Sequence, residues 1–204
     1  MNKIKTQREE LLDVLARLAF HKGDFTLASG VKSNYYINIK KILSMPSSLS
    51  KVVDLMMLEM APILDRLHFA QIGGKAIGSI PITYALLYAA GEIYHRPHIS
   101  GFYVREPKNH GNTKPIEGFV DQQSDILLVD DVLTTGDSVK SVIDTIESYF
   151  EENTATGWLG KIHAVYSIVN RSENPTEIFK NYGCEYHYLF GLEEIIKYNE
   201  SLHI

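Results

Sequence analysis

The stretch LLVDDVLTTGDSV, residues 127–139, decides how this chain folds. It overlaps the apolar segment DILLVDDV at residues 125–132, which is continuous enough to predict a strand covered on both faces. The strand ends in two adjacent acids, Asp130 and Asp131, and small hydroxyl residues follow around Gly136. Beyond them, apolar residues recur at helical spacing: Val139, Val142, Ile143, Ile146 and Phe150. The stretch therefore predicts a strand, a tight loop and a helix packed on the sheet.

Similar apolar segments alternate with helical patterns along the rest of the chain. Strands are predicted at residues 69–74, 98–104 and 162–170, and helices at residues 6–23, 46–69 and 76–91. Residues 25–42, FTLASGVKSNYYINIKKI, predict a polar and aromatic hairpin or extended segment. Such alternation is typical of an α/β fold with a mainly parallel central sheet flanked by helices. With 204 residues and 45% hydrophobic content, the chain suits a single domain, residues 1–204, with a sizeable core.

Composition excludes several classes of protein. A formal net charge of −5 argues against a protein that works by neutralising nucleic-acid phosphates. The hydrophilic N-terminus lacks the apolar core of a signal peptide, and the most apolar stretch, IPITYALLYAAG, is too short to span a bilayer. The single cysteine, Cys184, cannot form an internal disulfide or a cysteine-rich metal site. We therefore expect a cytoplasmic protein that binds neither nucleic acid nor membranes.

The loop after the acidic pair has the chemistry of a phosphate site. Backbone N–H groups and the hydroxyls of Thr134, Thr135 and Ser138 surround the predicted helix N-terminus. The two carboxylates face the same crevice and could hold sugar hydroxyls or a hydrated Mg²⁺. The loop follows the carboxyl end of a strand, where open α/β sheets bind ligands, so a phosphorylated sugar fits. The alternative is that Asp137 or Ser138 merely caps the helix and the acids are solvated.

Residues 126–138 resemble the phosphoribosyl-pyrophosphate signature of the type I phosphoribosyltransferases, with its hydrophobic strand, acidic pair and T-T-G-x-S loop. The resemblance implies that the catalytic acids Asp130 and Asp131 hold the ribose hydroxyls, and that residues 134–138 wrap the 5-phosphate. The implied ligands of phosphoribosyl pyrophosphate are Asp130, Asp131, Val132, Leu133, Thr134, Thr135, Gly136, Asp137 and Ser138. The segment IGGKAIGSIPI, residues 72–82, is similar to the pyrophosphate-side loop, to which Gly73 and Gly74 would contribute backbone geometry.

The segment GFYVREPKNHGNTKPIEG, residues 101–118, resembles the mobile catalytic loop of the orotate phosphoribosyltransferases. The resemblance implies that Arg105, Lys108 and His110 gather positive charge on the pyrophosphate, with Lys108 and His110 catalytic. Each alone would more often be a solvated loop charge. Many members carry two adjacent basic residues at this point. Here Glu106 follows Arg105 directly, so one cation is missing.

Two further segments resemble the same family at the base-binding side. Residues 25–41, with the pattern L-x-S-G-x-x-S-x-Y, are similar to a hood over the base, which we place at residues 1–45. In SIVNRSE, Arg171 follows a strand where the family's arginine meets the orotate carboxylate. Thr134 and Tyr36 are the other implied orotate contacts. Ala28 stands where some members have a lysine.

The resemblance implies an enzyme that transfers the phosphoribosyl group from phosphoribosyl pyrophosphate to orotate. It also implies Mg²⁺, held through the substrate and water rather than by protein ligands, and a homodimer whose loop 105–115 reaches the partner's site. Two alternatives stay open: a phosphoribosyltransferase for another base, and a non-catalytic regulator that senses phosphoribosyl pyrophosphate. Lysine and histidine together in the loop favour the enzyme.

Overall fold

The computed structural model of the chain describes residues 2–26, 30, 32–67, 69–106 and 114–202. Its strands are β1 (Phe20–Thr26), β2 (Lys32–Ile37), β3 (Ala70–Lys75), β4 (Ile99–Val104), β5 (Ile116–Gly118), β6 (Asp125–Leu133), β7 (Ile162–Asn170) and β8 (Glu185–Gly191). The predicted strands at residues 69–74, 98–104, 125–132 and 162–170 are thereby confirmed within a residue or two at each end.

In the described part of the chain, six strands form the central sheet in the order β5-β4-β3-β6-β7-β8. All neighbours pair in parallel except β5, which is antiparallel to β4. The chain runs outward from β3 to β4 and then returns to place β6 on the other side of β3. The strand order therefore reverses between β3 and β6, and open α/β sheets bind ligands at the carboxyl ends of such strands.

Helices cover both faces of this sheet, as predicted for the fold class. They are α1 (Asn2–Val14), continued by a π-helical turn at Leu15–Ala19, α2 (Ile39–Leu43), α3 (Pro46–Leu64), α4 (Ser79–Glu92), α5 (Asp137–Asn153), α6 (Pro175–Phe179), continued by a 3₁₀ turn at Lys180–Tyr182, and α7 (Leu192–Ser201). None of the helices described is long and apolar enough to cross a membrane.

Alternating side chains of β6 divide the core into two layers. Leu127 and Val129 pack into the layer that contains α1, α3, α4 and α7, whereas Ile126 and Leu128 pack against α5. The predicted apolar face of α5 is buried at all five positions. Each such side chain contributes about 1.5 to 3 kcal/mol on full burial, so this face holds α5, and the loop before it, firmly on the sheet.

The hairpin predicted within residues 25–42 is present, but its first strand begins earlier than expected. The predicted helix at residues 6–23 ends at Ala19, so its last four residues were assigned wrongly. Phe20 pairs with Ile37 across the hairpin, and its ring lies 5.3 Å from that of Tyr35. Pairing with a strand that lies more than ten residues away outweighs the local helical pattern, because it both satisfies the backbone hydrogen bonds and buries Phe20.

Helix α1, at the start of the hood, is bound to β8 and α7 through Arg8. Arg8 donates to both carboxylate oxygens of Glu194, at 2.6 and 2.8 Å, and to the carbonyl of Leu189 at 2.9 Å. Its guanidinium also lies 4.7 Å from the ring centre of Phe190. This contact fixes α1 against β8 and α7. The sequence patterns predicted neither β8 nor α7.

Candidate active site

The loop that follows β6 encloses a cavity of about 240 Å³, which we call the phosphate-loop cavity. Its lining residues are Asp130, Val132, Thr134, Thr135, Gly136, Asp137 and Ser138. The structure thus brings together seven of the nine residues expected from the signature. Of the other two, Asp131 lies beside the cavity. Leu133 turns its side chain fully into the core and can offer only its backbone.

Gly136 makes the sharp turn from loop to helix possible. Its φ of +79° is left-handed, a conformation that residues with a Cβ adopt at a cost. A Cβ here would also lie 2.5 Å from Cγ2 of Ile178 in α6. The first helical hydrogen bond of α5 runs from the Lys140 N–H to the Gly136 carbonyl, at 2.9 Å. Of the N–H groups ahead of Lys140 in α5, that of Asp137 lies 3.5 Å from Thr135 Oγ1. Those of Ser138 and Val139 remain available, and the helix dipole at this end also favours an anion.

The side chain of Asp137 contacts the loop rather than capping the helix. The Thr135 hydroxyl donates to its Oδ2 at 2.7 Å, and the Lys140 ammonium lies 3.5 Å from Oδ1. The hydroxyl, and secondarily Lys140, lower the pKa of the Asp137 carboxyl below its usual value. The alternative that Asp137 serves as a simple helix cap is therefore not what the geometry shows.

Asp130 lines the phosphate-loop cavity but is buried, so the alternative that the acids are merely solvated does not hold for Asp130. Only 8% of it is exposed, and its Oδ1 accepts the Asp131 backbone N–H at 3.0 Å. Burial, followed by the neighbouring Asp131 carboxylate, raises the pKa of Asp130 to about 8. The sequence could not show this asymmetry, because it depends on what packs around the end of β6.

Asp131 has different neighbours from Asp130. Its Oδ1 accepts the Val132 N–H at 2.9 Å, and its Oδ2 lies 4.0 Å from the ammonium of Lys40 in α2. A Cβ on Gly78 would lie only 2.6 Å from Asp131 Oδ1. Gly78, in the link from β3 to α4, therefore lies directly against the Asp131 carboxylate.

Gly73 and Gly74 lie in β3 itself rather than in the connecting loop. A Cβ on Gly73 would meet the Phe102 ring at 2.5 Å, and one on Gly74 would meet the Val129 carbonyl oxygen at 2.1 Å. Neither glycine lines the phosphate-loop cavity. Their lack of side chains lets β3 pack closely against β4 and β6, and this close packing brings residues 76–78 to the acidic pair.

Arg171 connects the end of β7 to the hood. Its backbone N–H donates to the Leu133 carbonyl at 2.8 Å, and its Nη2 donates to Ser33 Oγ at 2.9 Å. Burial lowers the pKa of the guanidinium, which nevertheless stays charged at any physiological pH. The predicted base-binding arginine and the last serine of the S-G-x-x-S hood pattern are therefore in direct contact, although 138 positions separate them.

The turn that carries Arg171 is held by residues that the sequence analysis did not identify. Asn170 Oδ1 accepts the Ser172 N–H at 3.0 Å, and Asn170 Nδ2 donates to the Ser172 carbonyl at 3.0 Å. Tyr186 on β8 places its hydroxyl 2.6 Å from Ser167 Oγ and 3.5 Å from Asn170 Oδ1. An asparagine at the strand end was the one available signal for such a turn.

Tyr36 lies on the exposed side of the hairpin. Its ring centre is 5.5 Å from that of Phe25 and 6.4 Å from that of His21. Tyr36 does not line the phosphate-loop cavity, so its expected contact with orotate stays a prediction. Tyr35 instead packs against the core.

Arg105 lies away from the acidic pair, at the beginning of the predicted catalytic loop. Its Nη2 is 2.7 Å from Glu117 Oε1 on β5, and only 10% of its side chain is exposed. It lines a separate cavity of about 430 Å³ together with Lys75, which is 3.1 Å from Glu106 and 3.3 Å from the Ser141 hydroxyl. Lys108 and His110 lie outside the described residues, as does Ala28.

The donor set suits a cation that is shared with substrate. Within the ranges that the structure describes, no three His, Cys, Asp or Glu side chains converge as a metal cage. Two carboxylates beside a phosphate site nevertheless fit Mg²⁺, which commonly keeps several waters and binds through one or two carboxylates plus substrate phosphates.

Comparison with known proteins identifies the family. No family model matches the chain. The orotate phosphoribosyltransferase of Methanosphaera stadtmanae is 32% identical over 176 residues, which cover 86% of this chain and 88% of that protein. The crystal structure of the Aeropyrum pernix orotate phosphoribosyltransferase superposes with a TM-score of 0.71 at 27% identity, covering 92% and 97% of the two chains. The crystal structure of the Mycobacterium tuberculosis orotate phosphoribosyltransferase in complex with phosphoribosyl pyrophosphate superposes with a TM-score of 0.67 at 24% identity, covering 93% of this chain and 98% of that one. The chain therefore belongs to the orotate phosphoribosyltransferase family.

Proposed function

We propose that this protein, acting in the cytoplasm as a homodimer, transfers the phosphoribosyl group from phosphoribosyl pyrophosphate to orotate. The products are orotidine 5-monophosphate and pyrophosphate, and the reaction serves pyrimidine biosynthesis. The observation that carries the proposal is the convergence, at one edge of the sheet, of a phosphate loop, an acidic pair and an arginine bound to the hood. The related M. tuberculosis protein, solved with phosphoribosyl pyrophosphate, supports the choice of this donor.

The crevice has groups that match the 5-phosphate and the ribose of the donor and the carboxylate of orotate. N–H groups and hydroxyls of residues 134–138 would hold the 5-phosphate, and Asp130 and Asp131 would accept hydrogen bonds from the ribose hydroxyls. Arg171 would exchange its neutral partner Ser33 for the orotate carboxylate, a stronger and bidentate partner. The orotate ring nitrogen would then face C1 of the ribose, the carbon at which the reaction takes place.

The chemistry requires positioning and charge rather than a covalent intermediate. The bond from C1 to pyrophosphate breaks through an oxocarbenium-like state, and its electron pair leaves with pyrophosphate. As the orotate ring nitrogen bonds to C1, it releases its N–H proton. Lys108 and His110 on loop 105–115 would supply positive charge and donors to the leaving pyrophosphate, and a closed loop would exclude water. Mg²⁺, when bound, would neutralise part of the pyrophosphate charge.

An exposed aromatic face supports the homodimer. Ile77, Tyr84 and Tyr88 are all exposed on or beside α4. The Tyr84 ring lies 6.5 Å from that of Tyr103, only two residues before the loop begins at Arg105. Exposed apolar patches of this kind mark interaction sites, and aromatic residues are enriched at interfaces. A second copy seated on this face would lie next to loop 105–115, as the shared-site arrangement requires.

The activity is tested directly with purified protein. We expect rapid loss of orotate absorbance when the protein is incubated with phosphoribosyl pyrophosphate and Mg²⁺, and no such loss without the donor. Adenine, hypoxanthine and uracil offered separately should remain largely unconverted. Brisk use of one of these bases with orotate untouched would assign a different acceptor, and binding of the donor without any turnover would favour the sensor.

Replacing Arg171 should separate the two substrates. Arg171→Ala removes a charged hydrogen bond worth about 1.5 to 3 kcal/mol, so the KM for orotate should rise roughly ten- to a hundred-fold. The KM for phosphoribosyl pyrophosphate should change less than about threefold. Ser33→Ala is the matched control, because it removes the partner seen in the structure but not the cation. If Ser33→Ala raises the orotate KM as much as Arg171→Ala does, Arg171 serves to hold the hood.

The buried Asp130 should make stability depend on pH. Its pKa is raised from 3.8 to about 8 on folding, so between these values the folded protein holds a proton that the unfolded chain has lost. This contribution is complete below about pH 4 and is lost as the pH rises through about 8. The unfolding free energy of wild type, followed by urea denaturation, should therefore decline between pH 5 and 9 more than that of Asp130→Asn. Asp144→Asn, on the exposed face of α5, is the control, and its unfolding free energy should change with pH as that of wild type does. If the unfolding free energies of wild type and Asp130→Asn change equally with pH, Asp130 is already ionised in the folded protein.

Mixed dimers test the shared site. Lys108→Ala and the double variant Asp130→Asn/Asp131→Asn should each be inactive. Unfolded together and reassembled at random, they should recover about a quarter of all sites, because half the dimers are mixed and each of those has one intact site. A mixture as inactive as its parents, with mixed dimers verified by mass, would show that Lys108 serves its own chain's site.

A further inference from the structure

Lys40 is a cation at the site that no sequence motif pointed to. It lies in α2, between the hood hairpin and α3, and its ammonium is 4.0 Å from Asp131 Oδ2. Of the other described cations discussed above, Lys140 lies beside Asp137 and Arg171 donates to Ser33, whereas Lys75 and Arg105 line a separate cavity. Lys40 is the one among these that faces the acidic pair.

The backbone of α2 is rigidly held while the Lys40 side chain remains accessible. Its neighbours Ile39, Ile42 and Leu43 are buried in the main core, and the Asn38 N–H donates to the Ala19 carbonyl at 2.8 Å. The Lys40 side chain, by contrast, is 60% exposed. A long side chain on a fixed backbone can keep its ammonium within reach of the site and still move to a new anionic partner.

The position of Lys40 indicates which end of a substrate it would meet. Asp130 lines the phosphate-loop cavity, whereas Asp131 lies against Gly78 and Lys40. If residues 134–138 hold the 5-phosphate and the acids hold the ribose, the remaining anionic group projects toward residues 76–78. The ammonium of Lys40 is therefore on the pyrophosphate side of the ribose.

We propose that Lys40 is a substrate-binding residue, which pairs with Asp131 in the free protein and contacts the pyrophosphate oxygens of phosphoribosyl pyrophosphate in the complex. The inference rests on the proposed function and extends it to a residue outside the signature. The Asp131 carboxylate beside an anion site repels a substrate that carries several negative charges. A cation beside that carboxylate offsets the repulsion before binding and attracts the pyrophosphate afterwards.

Three ligands separate this role from the alternatives. Phosphoribosyl pyrophosphate has both anionic ends, inorganic pyrophosphate has only the leaving group, and orotidine 5-monophosphate has the ribose and 5-phosphate without pyrophosphate. Calorimetric affinities in Mg²⁺ should fall about ten- to a hundred-fold in Lys40→Ala for the first two, the range for one lost charged hydrogen bond. The affinity for orotidine 5-monophosphate should stay within about threefold.

Matched variants complete the experiment. Lys41→Ala changes an exposed lysine of the same short helix and should bind all three ligands like wild type. Lys40→Arg keeps the charge and should restore most of the affinity that Lys40→Ala loses. Circular dichroism and thermal melting are expected to be unchanged in each variant, since the altered side chains are exposed. Lys40→Gln, which keeps the length and loses the charge, replaces Lys40→Ala if the alanine variant fails to fold.

Two results would overturn the proposal. If Lys40→Ala binds phosphoribosyl pyrophosphate and pyrophosphate as tightly as Lys41→Ala does, Lys40 makes no contact with the leaving group. If the affinity for orotidine 5-monophosphate falls as much as that for phosphoribosyl pyrophosphate, Lys40 does not act selectively on the leaving group, and unchanged binding of pyrophosphate would then show that it acts through Asp131 on the ribose. A failure of the proposed function is distinct from both, because wild type itself would then bind no phosphoribosyl pyrophosphate and consume no orotate.

Discussion

The close parallel pairing of β3 with β6 is the constraint on which the site depends. Gly74 allows this approach, since a Cβ there would lie 2.1 Å from the Val129 carbonyl oxygen. The pairing aligns the carboxyl ends of the two strands at the point where strand order reverses. As a result, residues 76–78 after β3 and the acidic pair at the end of β6 meet in one crevice, and Gly136 then turns the chain into α5 beside them.

This arrangement places negative charge where an anionic ligand has to bind. The conflict is partly relieved in the free protein, because burial raises the pKa of Asp130 and Lys40 lies close to Asp131. Free N–H groups at the start of α5 add positive potential on the opposite side. The crevice therefore offers both N–H donors and carboxylate acceptors, which come from different elements of the fold.

The hood is joined to the sheet through the same edge. Arg171 donates its backbone N–H to Leu133 and its guanidinium to Ser33, so one residue links β6, β7 and the hairpin. Asn170 stabilises the turn that carries Arg171 by hydrogen bonds to Ser172, and Tyr186 lies within hydrogen-bonding distance of Asn170. If a ligand took the guanidinium away from Ser33, the contact between hood and sheet would change.

The sequence by itself determined the fold class, four strands of the sheet, the strand-loop-helix unit and the family, because these depend on local periodicity and on contiguous motifs. It failed at residues 20–23, where pairing with β2 decided the structure. The family resemblance placed Gly73 and Gly74 in a loop, whereas they lie in β3, as the predicted strand at residues 69–74 had indicated. Only the tertiary structure decided that Asp130 is buried, that Arg171 meets Ser33 and that Lys40 faces Asp131. The burial and the charge of these side chains come from residues far away in the chain, and no local pattern encodes a contact that exists only once the sheet has formed.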